Sequence, residues 1–465
     1  MAHHTAPRIC IIGAGASGIA AAAVLKSRGI GFDVLEREGD LGGLWNIATP
    51  SGIVYESTHL ISSISATGFH DMPMLDEDYP EYPSHERILG YLRDYARKHG
   101  LEAHIAFQRT VERVLPDGTA GWTVKVSGEP SPRRYSGVVV ANGHHEVPRM
   151  PTYPGSFAGE IIHSKQYKSP RQVRDKRLLV VGAGNSAADI IRDAAHASDA
   201  RLVISMRHGQ WFVPKFLLGF PTGDLIGNVE WALAPLPRAI KRRFFQAALW
   251  LLQGPPSRYR MPDPDHSIDQ THPTMSDEIP RLVAHGRLVV RPEIARFEGN
   301  DVVFVDGTRE QLDMIVFATG YELAIPFLDR GLYLGPDGKP QLYLNTVSPD
   351  HPGLFFAGLI QANGSIWRLA ALQAEIIANA IVAGEVVPAE AEALLARARA
   401  NAGPASRARF VDSARHKLEA NYFDYTRALR REARRFSRAR RMTLGARHPL
   451  AADEIDVVTR VTPAG

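Results

Sequence analysis

A single cysteine, Cys10, in 465 residues excludes an intramolecular disulfide, a Cys-x-x-Cys redox pair and a thiolate metal cluster. Metal ligation by other side chains has no better footing. His266 and His272 lie near prolines without ligand spacing, His3-His4 reads as a terminal pair, and no metal site is expected. There is no Gly-x-Ser-x-Gly turn to present a serine nucleophile. No apolar run reaches the roughly 18 to 20 residues that span a bilayer, so no transmembrane segment is expected. Charge of one sign is also scarce, since the net is +4. Eight arginines between 427 and 441, set against Glu432, account for more than that excess and leave the remainder near −3. A solvated helix face is the plain reading of that cluster, and weak contact with an anionic membrane surface is the sharper one. Nothing interleaves aromatics with the basic residues as nucleic-acid binding would require. Arg8 and the apolar residues after it mimic a signal peptide, but the glycine spacing within them argues against one, and a cytoplasmic location is expected.

What is present is two glycine-rich turns, each between a short apolar strand and a helix. Ile9–Ile12 leads into Gly13-Ala-Gly15-Ala-Ser-Gly18, a helix follows from Ile19, and Phe32 to Glu36 forms a second strand ending in an acid. Gly13 permits the tight turn, Gly15 lets backbone approach a pyrophosphate, and Gly18 lets the helix pack on the strand. The helix N-terminus offers amide donors to phosphate, and Glu36 stands where a carboxylate accepts from a ribose diol. Asp40 to Trp45 adds a second turn, Gly42-Gly43-Leu44-Trp45, in which Trp45 is either core or a flavin contact. The second unit reads Leu178–Val181, then Gly182-Ala-Gly184-Asn185-Ser186-Ala187, then a helix over 188–195. Its second strand continues into Arg207, which would bind a 2′-phosphate where an acid would favour a 2′-hydroxyl. Opposite preferences in the two units fit FAD in the first and NADPH in the second.

The order of segments implies nesting. Val138 to Gly143 and Met314 to Tyr321 are matching strand-to-glycine crossovers on either side of the second unit. The expected fold is α/β with two Rossmann-like dinucleotide-binding domains, the second inserted into the first. The domains are set at 1–160 for the first part of the FAD domain and 161–318 for the NADP domain. Residues 319–465 form the return and a helical C-terminal tail. Within the second unit, 209–255 reads as a helical insert serving as packing, a hydrophobic substrate channel, a dimer surface or a shallow membrane contact. Residues 54–73 read as an active-site loop or an irregular connector, 85–98 as an amphipathic helix, and 107–126 as an antiparallel insertion.

Phe157-x-Gly159-x-x-x-His163-x-x-x-Tyr167 lies between the two glycine-rich turns. With Ser205-Met-Arg207, Phe317-Ala-Thr319-Gly-Tyr321 and Ser413-Ala-Arg-His416…Tyr422, it makes the chain resemble a class B flavin-dependent monooxygenase of the flavin-containing monooxygenase branch. The resemblance implies FAD held by Gly13, Gly15, Gly18, Glu36, Gly43, Leu44 and Trp45. It implies NADPH held by Gly182, Gly184, Asn185, Ser186 and Arg207, with Thr319 at the return crossover. It further implies insertion of one oxygen atom of O2, through a C4a-(hydro)peroxyflavin, into a soft nitrogen or sulfur of a small lipophilic substrate. Where the family commonly has an asparagine beside the flavin this chain has Ile61, so Ser62 and Ser63 become the candidates for that hydrogen bond. Alternatives are Baeyer–Villiger oxygenation of a ketone, against which Tyr167-Lys168 weighs, and a redox sensor or uncoupled NADPH oxidase. A homodimer is a further expectation.

Overall fold

The computed structural model describes residues 8–74, 79–118, 121–233, 236–403 and 417–444. His3-His4, Pro235 and the Ser413–His416 part of the tail motif fall outside them.

Two five-stranded parallel sheets organise the chain. The first runs Leu354–Phe356, Gly137–Val140, Arg8–Ile12, Gly31–Leu35, Ile105–Ala106. The second runs Glu160–His163, Met314–Phe317, Leu178–Val181, Leu202–Ser205, Val289–Arg291. Every strand of the second sheet falls between the fourth and fifth strands of the first in chain order. In each sheet the strand before the glycine turn is central and, apart from the exposed Arg8 that opens the first, apolar and buried, as expected for strands covered on both faces.

The helix after the first turn, Ala16–Ser27, is apolar all round, and seven of its twelve residues are buried. It lies between the first sheet and the long helix Ile366–Val386, and its alanines let the two helix backbones come close. Helix Ile366–Val386 is long and apolar enough to cross a membrane by composition, yet more than half of its apolar window is buried. It is the central helix of the first domain's core, covered on its other side by Tyr422–Leu444. Helix His85–Lys98 turns Ile88, Leu89, Leu92, Tyr95 and Ala96 inward, as its periodicity predicts. The three-stranded antiparallel sheet Val111–Asp117, Gly121–Val126, Arg133–Tyr135 packs against the first sheet's other face.

The insert departs from the helical expectation at its start. Phe212–Val213 pairs in parallel with Thr274–Met275, and Phe216–Leu217 pairs with Phe220–Pro221 as a hairpin. Leu218 and Gly219 both take positive φ, 53° and 84°, the geometry of a tight hairpin turn, and this overrides the apolar pattern. Helices Thr222–Ala232 and Arg238–Gln253 follow.

In the C-terminal helix the arginine cluster is not merely a solvated face. Glu432, 2% exposed, receives Arg397 at 2.5 Å, Arg435 at 3.2 Å and the Tyr343 hydroxyl at 2.8 Å. Arg427 pairs with Asp424 one turn back. Two of the arginines thus spend charge on partners within the helix itself, while Arg431 and Arg434 remain exposed.

Candidate functional site: two nucleotide cradles and the clasp between them

The two glycine turns are built alike at their tightest point. A Cβ on Gly13 would lie 2.8 Å from the Ala141 carbonyl oxygen, and one on Gly182 would lie 2.5 Å from that of Ala318. Both glycines take positive φ, 105° and 111°. In each unit the glycine therefore passes under the crossover from the neighbouring strand, where no side chain fits. Both following helices are capped by a glycine, Gly15 or Gly184, without a side-chain acceptor and without an acid in the first turn. Their first amides thus keep their donors and dipole for an anion.

The first cradle is closed by the second turn. The Gly42 amide donates to the Ala14 carbonyl, and a Cβ on Gly43 would lie 3.1 Å from the Gly15 Cα. Leu44 and Trp45 follow within the short helix Gly43–Trp45. Glu36 is buried at the end of its strand; one carboxylate oxygen accepts from the Ala14 amide at 2.6 Å and the other from the Glu38 amide at 2.9 Å. Burial pushes its pKa up, against the pull of those two amides. Beside the turn, Asn142 Nδ2 is buried without a hydrogen-bond partner. An unpaired buried amide, backbone close enough only for glycine, and a buried carboxylate fit a flavin dinucleotide. Trp45 meets Trp367 edge to face at 6.2 Å, and Phe69, Tyr91 and Tyr95 extend the aromatic cluster.

In the second cradle Asn185 is a structural anchor: its Oδ1 accepts the Met275 amide at 2.8 Å, while Thr274 Oγ1 donates to the Ala183 carbonyl at 2.6 Å. Ser186 is half-buried in the first helical turn. Arg207 points outward, 69% exposed, in a loose pair with Glu293 at 3.8 Å. Thr319 follows Ala318 on the crossover that abuts Gly182, its hydroxyl donating to the Arg149 carbonyl at 2.5 Å. Ser62 and Ser63 lie on neither glycine turn. Ser62 shares a hydrogen bond with Thr67 at 2.7 Å, and Ser63 donates to Asp224 at 2.7 Å. Among the described residues no group of histidine, cysteine, aspartate and glutamate has the arrangement of a metal site.

The segment 157–167 lies at the junction of these parts. The two crossovers form an antiparallel ribbon, Val147–Pro148 with Tyr321–Glu322. His163, 1% exposed, donates from Nε2 to the Gly320 carbonyl at 3.0 Å, while its Nδ1 accepts the Lys165 amide at 3.1 Å. A carbonyl only accepts and an amide only donates, so the ring is the neutral Nε2–H tautomer. Burial, which lowers its pKa, keeps it so. The same ring meets Tyr321 edge-on at 5.1 Å. Tyr167, fully buried, donates to Asp193 at 2.8 Å and packs edge-on against Tyr55. Lys168 reaches the Gly52 and Val54 carbonyls at 2.7 and 3.2 Å, and Tyr55 donates to Asp189 at 2.7 Å. Ser57 also bonds Asp193, and Arg192 pairs with Asp189 at 3.0 Å. A strip of the first domain, residues 52–57, is thus fastened to the first helix of the second. The sequence offered no local signal for Tyr55, Ser57, Asp189, Arg192 or Asp193.

Residues 6–435 match the model of the flavin-binding monooxygenase-like family. Rat flavin-containing monooxygenase 5 is 31% identical over 437 residues, covering 90% of this chain and 81% of its own. Rat dimethylaniline monooxygenase [N-oxide-forming] 2 is 32% identical over 444 residues, with the same coverage. Among solved structures, S-allyl-L-cysteine S-oxygenase from Allium sativum superposes with a TM-score of 0.62 at 22% identity, covering 95% of this chain and 94% of its own. With twin cradles, a buried ribose-side carboxylate and a clasp joining them, the chain belongs to the flavin-binding monooxygenase-like family and is a flavin-dependent monooxygenase.

Proposed function

We propose that this chain is an NADPH- and FAD-dependent monooxygenase that inserts one oxygen atom of O2 into a soft nucleophilic nitrogen or sulfur of a small lipophilic substrate. The observation that carries the reading is the pair of matching glycine-to-crossover cradles, one ending in a buried carboxylate and the other in an exposed arginine. Bound there, FAD would supply the acceptor for the NADPH hydride and the O2 chemistry, with one oxygen atom ending in the substrate and the other in water. The chain's own part is binding, alignment and exclusion of water. Gly15 and Gly43 would leave bare backbone for the FAD pyrophosphate, Gly13 and Gly18 close the turn and helix that present it, Leu44 would flank it, Glu36 would accept from its ribose, and Trp45 would border the ring system. Gly182, Gly184 and Ser186 receive the second pyrophosphate. Asn185 and Thr319 hold that cradle's walls, and Arg207 takes the 2′-phosphate. Ser62, whose hydroxyl among the described residues is paired only with that of Thr67, retains hydrogen-bonding capacity for the flavin side of its loop. The relatives' names, N-oxide-forming and S-oxygenase, support nitrogen and sulfur as targets. Assay of NADPH-driven oxidation of a tertiary amine, a thioether and a cyclic ketone decides the class. Ketone turnover without the other two replaces this reading with Baeyer–Villiger chemistry, and stoichiometric peroxide with all three replaces it with an uncoupled oxidase.

Arg207→Ala is expected to raise KM for NADPH on the order of tenfold or more while leaving KM for NADH within about twofold, the loss of one charge-assisted phosphate contact. Equal changes for both cofactors would take Arg207 out of the phosphate site.

A cytoplasmic location belongs to this reading, supported by the disulfide-free sequence. So does weak contact with an anionic membrane surface through the C-terminal arginines. Helix Arg238–Gln253 supports such a contact, because Ile240, Phe244 and Leu251 are exposed on one face that Lys241 and Arg243 flank. A homodimer is the competing use of that face. Deleting the tail after Thr426 would remove buried Glu432, so charge reversal is the cleaner probe. Arg431→Glu with Arg434→Glu is expected to lower co-sedimentation with phosphatidylglycerol vesicles about tenfold or more, at roughly 1 kcal/mol per lost cation. Unchanged binding excludes the arginines from the contact.

A further inference from the structure

The first turn of the insert holds the loop that carries Ile61, Ser62 and Ser63. Asp224, at the start of helix Thr222–Ala232, accepts from the Ser63 hydroxyl with one carboxylate oxygen and from the Ser65 hydroxyl with the other, both at 2.7 Å. Ser63 is 1% exposed, so this bond is shielded from water. The hairpin ahead of that helix adds to the hold. Lys215 Nζ donates to the Leu60 carbonyl at 3.2 Å, and the Tyr82 hydroxyl donates to the Lys215 carbonyl at 2.6 Å.

On its other side the same loop is fixed to the first domain's core. Ser365 Oγ donates to the Thr67 carbonyl at 3.1 Å and Arg368 Nε to the Gly68 carbonyl at 2.8 Å. Phe69 then stacks on Trp367, which meets Trp45, the residue two after the glycine that abuts Gly15. Residues 60–69 therefore form a wall with the FAD cradle behind one aromatic layer and the insert on the opposite face. Ile61 brings no amide to this wall. The hydroxyl of Ser63 is turned toward Asp224, which lies 161 residues further along the chain.

We infer that Asp224 is a positioning residue for oxygen transfer: it sets the loop 60–65 against the flavin side and ties its alignment to the seating of the insert. The inference rests on the monooxygenase reading above. Two hydroxyl donors on one carboxylate are charge-assisted and stronger than neutral pairs. Nothing else among the described contacts holds the Ser63 side chain from the insert. An alanine at 224 releases Ser63 and Ser65 from the insert, leaving the Lys215–Leu60 bond, the cradle and the Arg207 site as they are.

The test compares Asp224→Ala and Asp224→Asn with the parent, all loaded with FAD. Two quantities are read: amide hydrogen exchange over 60–69, and peroxide released per NADPH consumed with a thioether present. Asp224→Ala is expected to speed exchange in 60–65 by about tenfold or more and to raise peroxide per NADPH severalfold, with KM for NADPH unchanged. Asp224→Asn should restore both, since its Oδ1 accepts one hydroxyl and its Nδ2 donates to the other. Parental exchange and coupling in Asp224→Ala overturn the inference, as do faster exchange with parental coupling and failure of the asparagine to rescue. Should Asp224→Ala lose FAD, Ser65→Ala, which removes one of the two bonds, takes its place with the same outcomes. A parent enzyme that oxygenates no amine or sulfide sinks the functional reading, and exchange alone then decides whether Asp224 holds the loop.

Discussion

A Gly18→Ala variant is expected to be recovered without flavin, and largely as aggregate, although the change adds a single methyl group. That methyl carbon would lie 1.9 Å from the Gly13 carbonyl oxygen and 3.0 Å from its carbonyl carbon. Gly13 has nowhere to retreat, because its own missing side chain marks a 2.8 Å approach to the Ala141 carbonyl oxygen at a φ of 105°. The helix cannot back away either, since Ala16–Ser27 lies between the sheet and Ile366–Val386. Overpacking a rigid core costs about 1–3 kcal/mol where neighbours can shift, and here the neighbours are backbone, so the cost lies at or above that range. Out of a total stability of roughly 5–15 kcal/mol, that loss is large, and it falls on the turn that receives the pyrophosphate. Gly90→Ala is the matched control. Gly90 is also helical, but a Cβ there meets nothing within 4 Å, so the change should leave flavin content intact and stabilise by about 0.5–1 kcal/mol. The ratio of flavin to protein absorbance and the melting temperature report both. A Gly18→Ala protein with full flavin and a parental melting temperature would show that the strand and helix separate far more easily than their packing implies.

The glycine turns were legible in the sequence because what they do is local. Gly13, Gly15 and Gly18 answer to a strand and a helix a few residues away, and Glu36 to a strand end 18 residues on. The nesting of the sheets was legible for a related reason: Val138–Gly143 and Met314–Tyr321 repeat one strand-to-glycine pattern. The clasp was not legible. Tyr55 and Asp189 are 134 residues apart, and Tyr55, Ser57 and Asp193 carry no spacing that marks them, since their partners are chosen by the docking of one domain on the other. Asp224 was hidden in the same way. The start of the insert misled because apolar residues around Phe216–Pro221 suit a short helix as well as a hairpin, and only the backbone at Leu218 and Gly219 decides between them. In the tail, counting arginines showed the charge, while the informative residue was the one acid among them. Glu432 is buried, bonded by half-buried Arg397 and by Tyr343 of the core.

Asp193→Ala should slow reduction of the bound flavin by NADPH on the order of 10- to 100-fold while leaving flavin content unchanged. Asp193 is 7% exposed, and it accepts from the fully buried Tyr167 hydroxyl and from Ser57, with Arg192 at 3.5 Å. Alanine leaves the Tyr167 and Ser57 hydroxyls unanswered at once, while Arg192 keeps Asp189 at 3.0 Å. Removing one partner of a buried charged network costs about 3–5 kcal/mol, because the remaining groups stay desolvated. The loss falls on the junction between residues 52–57 and the second domain's first helix, and neither cradle contains any of these side chains. Folding of each domain should therefore survive, while the angle at which the nicotinamide meets the flavin loosens, and a misplacement near 1 Å is enough to cost about a hundredfold in rate. Tyr167→Phe removes one neutral donor and leaves Asp193 its others, so it should cost about 1–2 kcal/mol and slow reduction only a few-fold. The double variant should behave nearly as Asp193→Ala alone, since the tyrosine hydroxyl has no acceptor left to lose. Single-turnover reduction separates this from a general loss of stability, because a defect confined to the junction moves the hydride-transfer rate and the exchange of amides 52–57 together, with the rest of the chain unchanged. Parental reduction rates in Asp193→Ala would mean that the nicotinamide is aligned by the cradles alone and that the segment ending in Tyr167 serves only to hold the fold.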